Sequence, residues 1–273
     1  MSVYLVSWKG VEVDPRIRTA FVVGLLFVIT LVASIPAAVA LYTPVLDHTD
    51  YILGAGADNR IALGAFLEMI LIVANIGTAV VVFPILRRQN EALSLGYVTA
   101  RVKESVFIAV GLLSLLAIVT LRQDLAGTAG ADAASLDTVG RPLVAVHDWT
   151  FLLGPGWVVG VGNGLLGYLM FRSGLVPRGM AMLGLIGGPL IILSGIAMLF
   201  DVIEPGSSAQ VIATIAEFFW ELSDSCVFAV RFWPSELFLG LKQDQRFLAT
   251  ATDPLTGEVL DSDTSVFLGR AAL

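Results

Sequence analysis

The chain has 273 residues, of which 56% are hydrophobic and 14% charged, and its mean hydropathy is +0.85. Since an ordinary soluble domain carries about 25% charged residues, this composition predicts a polytopic membrane protein, an all-α bundle of transmembrane helices with the lipid bilayer as its partner. The formal net charge of −7 says little about other partners, because the placement of Lys and Arg governs membrane orientation. Without a basic run that carries interleaved aromatic residues, nucleic-acid binding has no support. The single cysteine, Cys226, excludes an internal disulfide and a multi-cysteine metal site.

Six apolar segments approach or reach the roughly 20 residues that a spanning helix needs. In chain order they are Thr19–Tyr42, Ile61–Leu86, Glu104–Leu121, Trp149–Phe171, Gly179–Phe200 and Ala209–Phe232. They predict an N-terminal segment (1–18), a six-helix transmembrane domain (19–232) and a loosely ordered C-terminal tail (233–273). The first apolar run is longer than the core of a signal peptide, so we expect its helix to be retained.

The basic residues predict the orientation, since cytoplasmic loops keep an excess of Lys and Arg. Thirteen lie on one side of the predicted spans and three on the other. Both termini are therefore expected to be cytoplasmic, in the cytoplasmic (inner) membrane of a bacterium, with the segments 43–60, 122–148 and 201–208 outside. The three on the outer side are Arg60, Arg122 and Arg141.

Glycines in the fourth and fifth spans predict close helix packing. Small residues at four-residue spacing let helix backbones approach each other in lipid, and the connection RSGLVPR is short enough for a tight hairpin. The sequence Gly154-Pro155-Gly156 carries a second interpretation, an interrupted helix that frees backbone groups for a ligand. The glycines that define the pattern are Gly156, Gly160, Gly164, Gly184 and Gly188.

Ionisable residues inside the apolar spans are the candidates for function, because such residues are costly in lipid and usually face a bundle interior or an aqueous cavity. Glu217, Glu221 and Asp224 share one helical face of the sixth span, and Glu68 and Asn75 share a face of the second. Glu68 and Glu217 each lie roughly 12 Å below the outer surface at 1.5 Å per residue. We therefore predict that both line one outward-facing pocket and share a proton or a cation. The predicted lining residues are Glu68, Asn75, His147, Glu217 and Glu221.

Two further polar residues receive structural interpretations at this point. Asn163, in the fourth span, is expected to hydrogen-bond between helices. Glu104 begins the third span beside Lys103, where a solvated or salt-bridged carboxylate at the membrane interface is expected.

Four stretches resemble a bacterial integral membrane family that is catalogued as domain of unknown function 4386. They are FLEMILIVANIGTAVVVFPILRRQNEALSLGYVTARVKES (66–105), HDWTF (147–151), LMFRSGLVPRGMAMLGLIGG (169–188) and AEFFWELS (216–223). The resemblance covers roughly residues 17 to 233. It implies a membrane-embedded helical fold and brings no established activity, cofactor or catalytic residue.

Three classes of function fit a carboxylate-lined pocket. The first is a transporter or proton-coupled carrier of a small molecule or ion, which with only six helices and no evident inverted repeat is expected to form a homo-oligomer. The second is a membrane-embedded metal-dependent enzyme, although the chain lacks H-x-x-x-H, H-E-x-x-H and G-x-S-x-G motifs and has only two histidines. The third is a non-catalytic sensor or assembly protein. Metal content, cofactor and catalytic residues stay open at the level of sequence.

Overall fold

The computed structural model describes residues 15–46, 52, 57–125 and 133–231. Within these ranges the regular structure is helical, which confirms the predicted all-α bundle. The N-terminal residues 1–14 and the tail from 232 onward, including its predicted loose order, lie outside the described residues. The α-helices are α1 Pro15–Ile35, α2 Thr43–Leu46, α3 Asp58–Leu86, α4 Glu91–Leu125, α5 Ala133–Phe151, α6 Val159–Ser173, α7 Arg178–Leu199 and α8 Ser208–Arg231. Two π-helical segments, π1 (Pro36–Tyr42) and π2 (Leu152–Val158), continue α1 into α2 and α5 into α6.

The helices form a closed ring. α1 packs against α3 and α8, α3 against α4, α4 against both α5 and α6, α6 against α7, and α7 against α8. Side chains from all parts of the ring meet in one buried core, which includes Val23, Ala79, Tyr97, Leu166, Ala181 and Trp220. The ring therefore has an interior, and polar residues placed there are shielded from lipid.

Five helical stretches in the described part of the chain are long and apolar enough to cross a membrane, so the protein is a multi-pass membrane protein. They are Phe21–Leu46, Asp58–Leu86, Glu91–Asp124, Leu136–Ser173 and Arg178–Leu199. The sixth predicted span corresponds to α8, which is more polar because it carries three carboxylates. Trp220 of α8 is nonetheless fully buried, and α8 closes the ring between α7 and α1.

The two ends of the ring are named here by residues that lie at them. At the Asp58 end, Arg122 near the end of α4 forms an ion pair with Asp58 at the start of α3. At the Arg87 end, the exposed residues Arg87 and Arg88 join α3 to α4. Under the predicted orientation, the Arg87 end is cytoplasmic.

The third span begins earlier than predicted, and this places Arg101 and Glu104 inside the bundle. α4 starts at Glu91, where the side chain of Asn90 accepts a hydrogen bond from the backbone N–H of Leu93 (3.0 Å) and so caps the helix. Ser94, Tyr97 and Arg101 then follow at helical spacing on one buried face. The interval 87–103 between the second and third predicted spans is therefore a connection only as far as Asn90. From Glu91 onward it is helical, and α4 begins more than three turns before the predicted start at Glu104.

The fourth span also differs from its prediction. α5 starts at Ala133, so His147 and Asp148 lie well inside a helix and not at the end of a loop. The sequence Gly154-Pro155-Gly156 falls in π2, where the missing proline N–H is accommodated by the wider π-helical turn. Gly154 also lies so close to α4 that a Cβ on it would be 2.6 Å from that of Phe107. The helix is thus locally rearranged without being broken.

The predicted close packing of α6 on α7 is confirmed at one glycine pair. A Cβ built on Gly160 would lie 2.7 Å from the carbonyl oxygen of Gly188, and a Cβ on Gly188 would lie 2.5 Å from that of Gly160. Two other glycines of the pattern behave differently. A Cβ on Gly164 would meet nothing within 4 Å. A Cβ on Gly184 would meet the ring of Trp220 on α8, while the Gly184 backbone packs against α6 at Gly167, where a Cβ would lie 3.0 Å from the Gly184 carbonyl carbon.

Candidate functional site

A buried ion-pair network lies inside the ring. Arg101 donates one hydrogen bond to Glu104 Oε2 (3.0 Å) and another to Asn163 Oδ1 (3.0 Å). Asn163 in turn donates a hydrogen bond from Nδ2 to Glu217 Oε1. Glu221, one turn further along α8, has Arg101 and Glu104 as charged neighbours and also interacts with Asn163. These five residues are called the Arg101 network below.

The network is held by three helices and is largely buried, although Glu221 is only half-buried. Arg101 and Glu104 come from α4, Asn163 from α6, and both Glu217 and Glu221 from α8. Arg101 is 3% exposed, Asn163 is fully buried and Glu217 is 4% exposed. The guanidinium also lies 5.7 Å from the centre of the Tyr97 ring, one turn earlier on α4. Asn163 is the residue that links the cation of one helix to the carboxylate of another.

Glycine on α7 brings Glu217 to this position. A Cβ on Gly187 would lie 3.1 Å from the backbone nitrogen of Glu217 and 3.0 Å from its Oε2. One turn earlier on α7 and one turn later on α8, the Trp220 ring covers Gly184, where a Cβ would lie 2.7 Å from the indole. Small residues on α7 therefore let α8 approach closely enough to direct its carboxylate face into the ring.

The charges of the network do not balance. One guanidinium faces the carboxyl groups of Glu104, Glu217 and Glu221, so full ionisation would leave two uncompensated negative charges in the bundle. Removing charged groups from water costs several kcal/mol per ion unless each is well paired. In the described part of the chain, Glu217 Oε2 and Arg101 Nε have no hydrogen-bond partner. The network thus needs additional positive charge to balance its carboxylates, and it has atoms that can still form hydrogen bonds.

A second buried polar cluster lies nearer the Asp58 end. The Tyr42 hydroxyl donates to Glu68 Oε2 (3.0 Å), and the Tyr42 ring contacts the His147 ring edge-on at 5.6 Å. His147 interacts electrostatically with Glu68, and its Nδ1 lies 3.2 Å from Oδ1 of Asp148. Tyr42, Glu68, His147 and Asp148 are called the Glu68 cluster.

Local helix structure explains how this cluster forms. Tyr42 is the last residue of π1, and its ring packs against Gly64, which offers no side chain to obstruct it. His147 stacks on Phe151 (6.3 Å between ring centres), the residue that precedes π2. The Tyr42 ring thus belongs to one π-helical segment, and Phe151, on which His147 stacks, directly precedes the other. Such segments are frequently found at functional sites.

The two carboxylates that were predicted to share one pocket belong to different groups. Glu68 interacts with Tyr42 and His147, whereas Glu217 interacts with Asn163, Arg101, Glu104 and Glu221. The two groups meet α4 at different levels: Glu217 is linked through Asn163 to Arg101, whereas His147 lies against Gly111, about ten residues closer to the Asp58 end.

Of the five predicted lining residues, the structure joins Glu68 to His147 and Glu217 to Glu221. Asn75 is 1% exposed, and its Nδ2 has no hydrogen-bond partner among the described residues. The side chain of Asp224 lies outside what the structure describes.

Sequence reasoning missed Arg101, whereas the interhelical hydrogen bonds expected of Asn163 and the salt bridge expected of Glu104 are confirmed. The sequence places Arg101 in the cytoplasmic connection before the third span and Glu104 at the membrane interface, because the predicted apolar run starts only at Glu104. One signal for the buried position was present. Ser94, Tyr97, Arg101 and Glu104 recur at three- and four-residue spacing, in phase with the apolar face of the span that follows.

In the part of the chain that the structure describes, no group of three or more His, Cys, Asp or Glu side chains is arranged so that it could hold a metal ion. The Arg101 network does bring three carboxyl groups near one guanidinium. A guanidinium is a fixed positive charge, and it repels a multivalent cation more strongly than a monovalent one. The arrangement is chemically suited to protons or to a small monovalent cation.

Comparison with known proteins gives a family and no activity. No curated protein and no solved structure matches the chain. A family model described as a domain of unknown function, DUF4386, matches residues 22–225, a range that contains both polar groups and every helix from α2 to α7. The chain belongs to this family.

Proposed function

We propose that this membrane protein binds, and in doing so moves, a small cation at the Arg101 network, and that this cation is the proton. The observation that carries the proposal is the excess of three carboxyl groups over one guanidinium inside the ring. Ionisable residues buried in membrane bundles commonly mark ion pathways and proton relays. A proton on one or two of these carboxyl groups would neutralise the excess charge.

The geometry supports a proton site more than a purely structural ion pair. A structural pair is stable when every charge and hydrogen-bonding position is satisfied. Here Glu217 keeps an unpartnered oxygen among the described residues, although Asn163 and Gly187 hold that side chain in place. A carboxyl group that is fixed in position but incompletely hydrogen-bonded can accept and release a proton with little rearrangement.

The other two classes of function remain as competing outcomes. A metal-dependent enzyme would require a ligand set, and the described residues do not provide one. A non-catalytic sensor or assembly protein would use the network only to fix the positions of α4, α6 and α8. Assembly into a homo-oligomer stays a prediction under each class.

We further propose that the protein lies in the cytoplasmic membrane with both termini in the cytoplasm. The exposed Arg87, Arg88, Arg172 and Arg178 at the Arg87 end of the ring support this orientation. The network would then lie roughly 15 Å from the cytoplasmic end of α4, given about ten residues between Glu91 and Arg101.

Infrared spectroscopy of the purified protein in lipid nanodiscs tests the proposal, because a protonated carboxyl group has a carbonyl stretch that a carboxylate lacks. At neutral pH we expect this band in the wild type, and we expect it to decrease in Glu217→Gln and in Glu221→Gln. Glu204→Gln is the matched control, since Glu204 is an exposed carboxylate in the loop before α8, and it should leave the band unchanged.

Two results would contradict the proposal in different ways. A band that is absent in the wild type, together with higher thermal stability in Na⁺ or K⁺ than in an organic cation of equal ionic strength, would replace the proton by a metal cation. A band that is absent with no cation dependence would leave only the structural role.

A further inference from the structure

The Glu68 cluster provides a connected route from an exposed carboxylate to a buried one. The Asp148 side chain is 64% exposed and lies 3.2 Å from Nδ1 of His147, whose side chain is only 9% exposed. His147 in turn interacts with Glu68, which is 8% exposed and is held by the Tyr42 hydroxyl. The exposed fraction of the side chain therefore falls from Asp148 through His147 to Glu68.

Among the residues that the structure describes, few titratable groups lie around Glu68, and they come from identifiable elements. Tyr42 approaches from π1, and His147 and Asp148 from α5. The part of α4 that faces the cluster, residues 105–121, contains no titratable side chain. Among the described residues, Tyr42 and His147 are therefore the titratable groups that interact with the Glu68 side chain.

The cluster and the Arg101 network lie at different depths in the same ring. Gly111 of α4 faces His147, and a Cβ on it would lie 3.6 Å from the imidazole. Arg101 is on the same helix about ten residues closer to the Arg87 end, which corresponds to roughly 15 Å. Glu68 itself lies roughly 15 Å below the start of α3. The two groups are therefore arranged in series along the ring axis.

Asn75 lies between these two depths. It is on the same face of α3 as Glu68, about 10 Å further from the Asp58 end at 1.5 Å per residue. Its side chain is buried, and its Nδ2 lacks a hydrogen-bond partner among the described residues. A buried amide with an unused donor usually bonds to water or a ligand, so this position is suited to ordering water between the two groups.

We propose that Asp148, His147 and Glu68 form the entrance through which protons reach the Arg101 network from the Asp58 end, with Asn75 ordering the water that bridges the gap. This inference rests on the proposed function. The imidazole of His147 takes a proton from a hydronium ion beside Asp148, which leaves water, and passes the proton to the Glu68 carboxylate, leaving a neutral imidazole and a neutral carboxyl group. The proton then passes through water at Asn75 to a carboxylate of the network, and Glu68 returns to its ionised form with the Tyr42 hydroxyl as hydrogen-bond donor.

Proton uptake by proteoliposomes that contain the full chain tests this entrance. A pH-sensitive dye is enclosed in the vesicles, and a valinomycin-mediated K⁺ gradient makes the interior negative. We expect Glu68→Gln and His147→Gln to lower the initial rate of acidification by about a hundredfold, the lower range of what a positioned proton-transfer group contributes. Asp137→Asn, on the same helix as His147 but in a pair with Arg141 at its outer part, should keep the wild-type rate.

A further variant separates the entrance from the network. Asn75→Leu keeps a similar volume but removes the amide, so it should lower the rate while leaving the protonated-carboxyl infrared band assigned by Glu217→Gln in place. That combination would show that the network still binds protons and that its connection to the entrance has been lost. A structural defect would instead alter the band as well as the rate.

The remaining outcomes distinguish this inference from the proposed function. A wild-type rate in Glu68→Gln would overturn the entrance, while a Glu217-dependent carboxyl band would still support proton binding at the network. Wild-type vesicles that take up no more protons than empty vesicles would overturn both the entrance and the proposed proton movement, and a Glu217-dependent band in the same preparation would then support proton binding alone. The absence of that band as well would overturn the proposed function entirely.

Discussion

Arg101 is the residue on which the stability of the buried network depends. It is the only cation in a network with three carboxyl groups, and it hydrogen-bonds to side chains of α4 and α6. Removing one partner of a buried ion pair is costly, because the remaining charge keeps its desolvation penalty without its compensation.

Arg101→Gln should therefore lower the free energy of unfolding by about 3–5 kcal/mol, measured by denaturation in detergent. Acidic buffer should restore part of this loss, because protonated carboxyl groups need no counter-ion. The double variant Arg101→Gln, Glu104→Gln should lose less than the sum of the two single variants, as expected for residues in direct contact. Arg88→Gln, at an exposed arginine near the end of α3, is the control. Equal stability of Arg101→Gln and Arg88→Gln would contradict the network as described.

At the scale of helices, the contact between α6 and α7 depends on the absence of side chains at particular positions. The backbones of Gly160 and Gly188 approach so closely that a Cβ on either would meet a carbonyl oxygen of the other. In lipid, such contacts matter because there is little hydrophobic gain from bringing helices together.

We expect Gly160→Ala to destabilise the protein by about 1–3 kcal/mol, the usual cost of overpacking. Gly164→Ala is a closely matched control, one turn away on the same helix, where a Cβ meets nothing within 4 Å. It should be neutral or slightly stabilising, since alanine favours helix over glycine by roughly 0.5–1 kcal/mol. Thermal denaturation of both variants in the same detergent provides the comparison, and similar losses in both would mean that the interface is placed incorrectly.

At the scale of the whole molecule, orientation decides which side of the membrane supplies the entrance at Asp148. The ring places the exposed Asn90 and Glu204 at opposite ends, Asn90 between α3 and α4 and Glu204 between α7 and α8. Asn90 lies beside the basic residues that predict a cytoplasmic location.

Single cysteines at these positions, introduced after Cys226→Ser, can be probed in intact cells with a membrane-impermeant thiol reagent. Cysteine at position 204 should be labelled, and cysteine at position 90 should be labelled only after the cells are permeabilised. The reverse pattern would place the Asp58 end in the cytoplasm, and proton entry at Asp148 would then start from that side.

The sequence by itself determined that this is a membrane-embedded helical protein, because composition and the lengths of apolar runs depend on the lipid environment and not on helix order. It also predicted the close packing of α6 on α7 from their glycines, and it predicted the shared faces of Glu68 with Asn75 and of Glu217 with Glu221, which follow from the helical repeat.

Only the tertiary structure decided which polar residues meet. Residue counting from the helix ends predicted equal depth for Glu68 and Glu217, and this is wrong: Glu217 is linked to α4 at Arg101, about ten residues closer to the Arg87 end than Gly111, which faces His147 of the Glu68 cluster. Packing of α8 between α7 and α1 directs Glu217 toward Asn163 and Arg101, and leaves Glu68 with Tyr42 and His147. The burial of Arg101 follows from the inner face of α4, which extends beyond the apolar run toward Glu91. Hydropathy cannot predict this, because a charged residue has the same hydropathy whether it is paired inside a bundle or solvated in a loop.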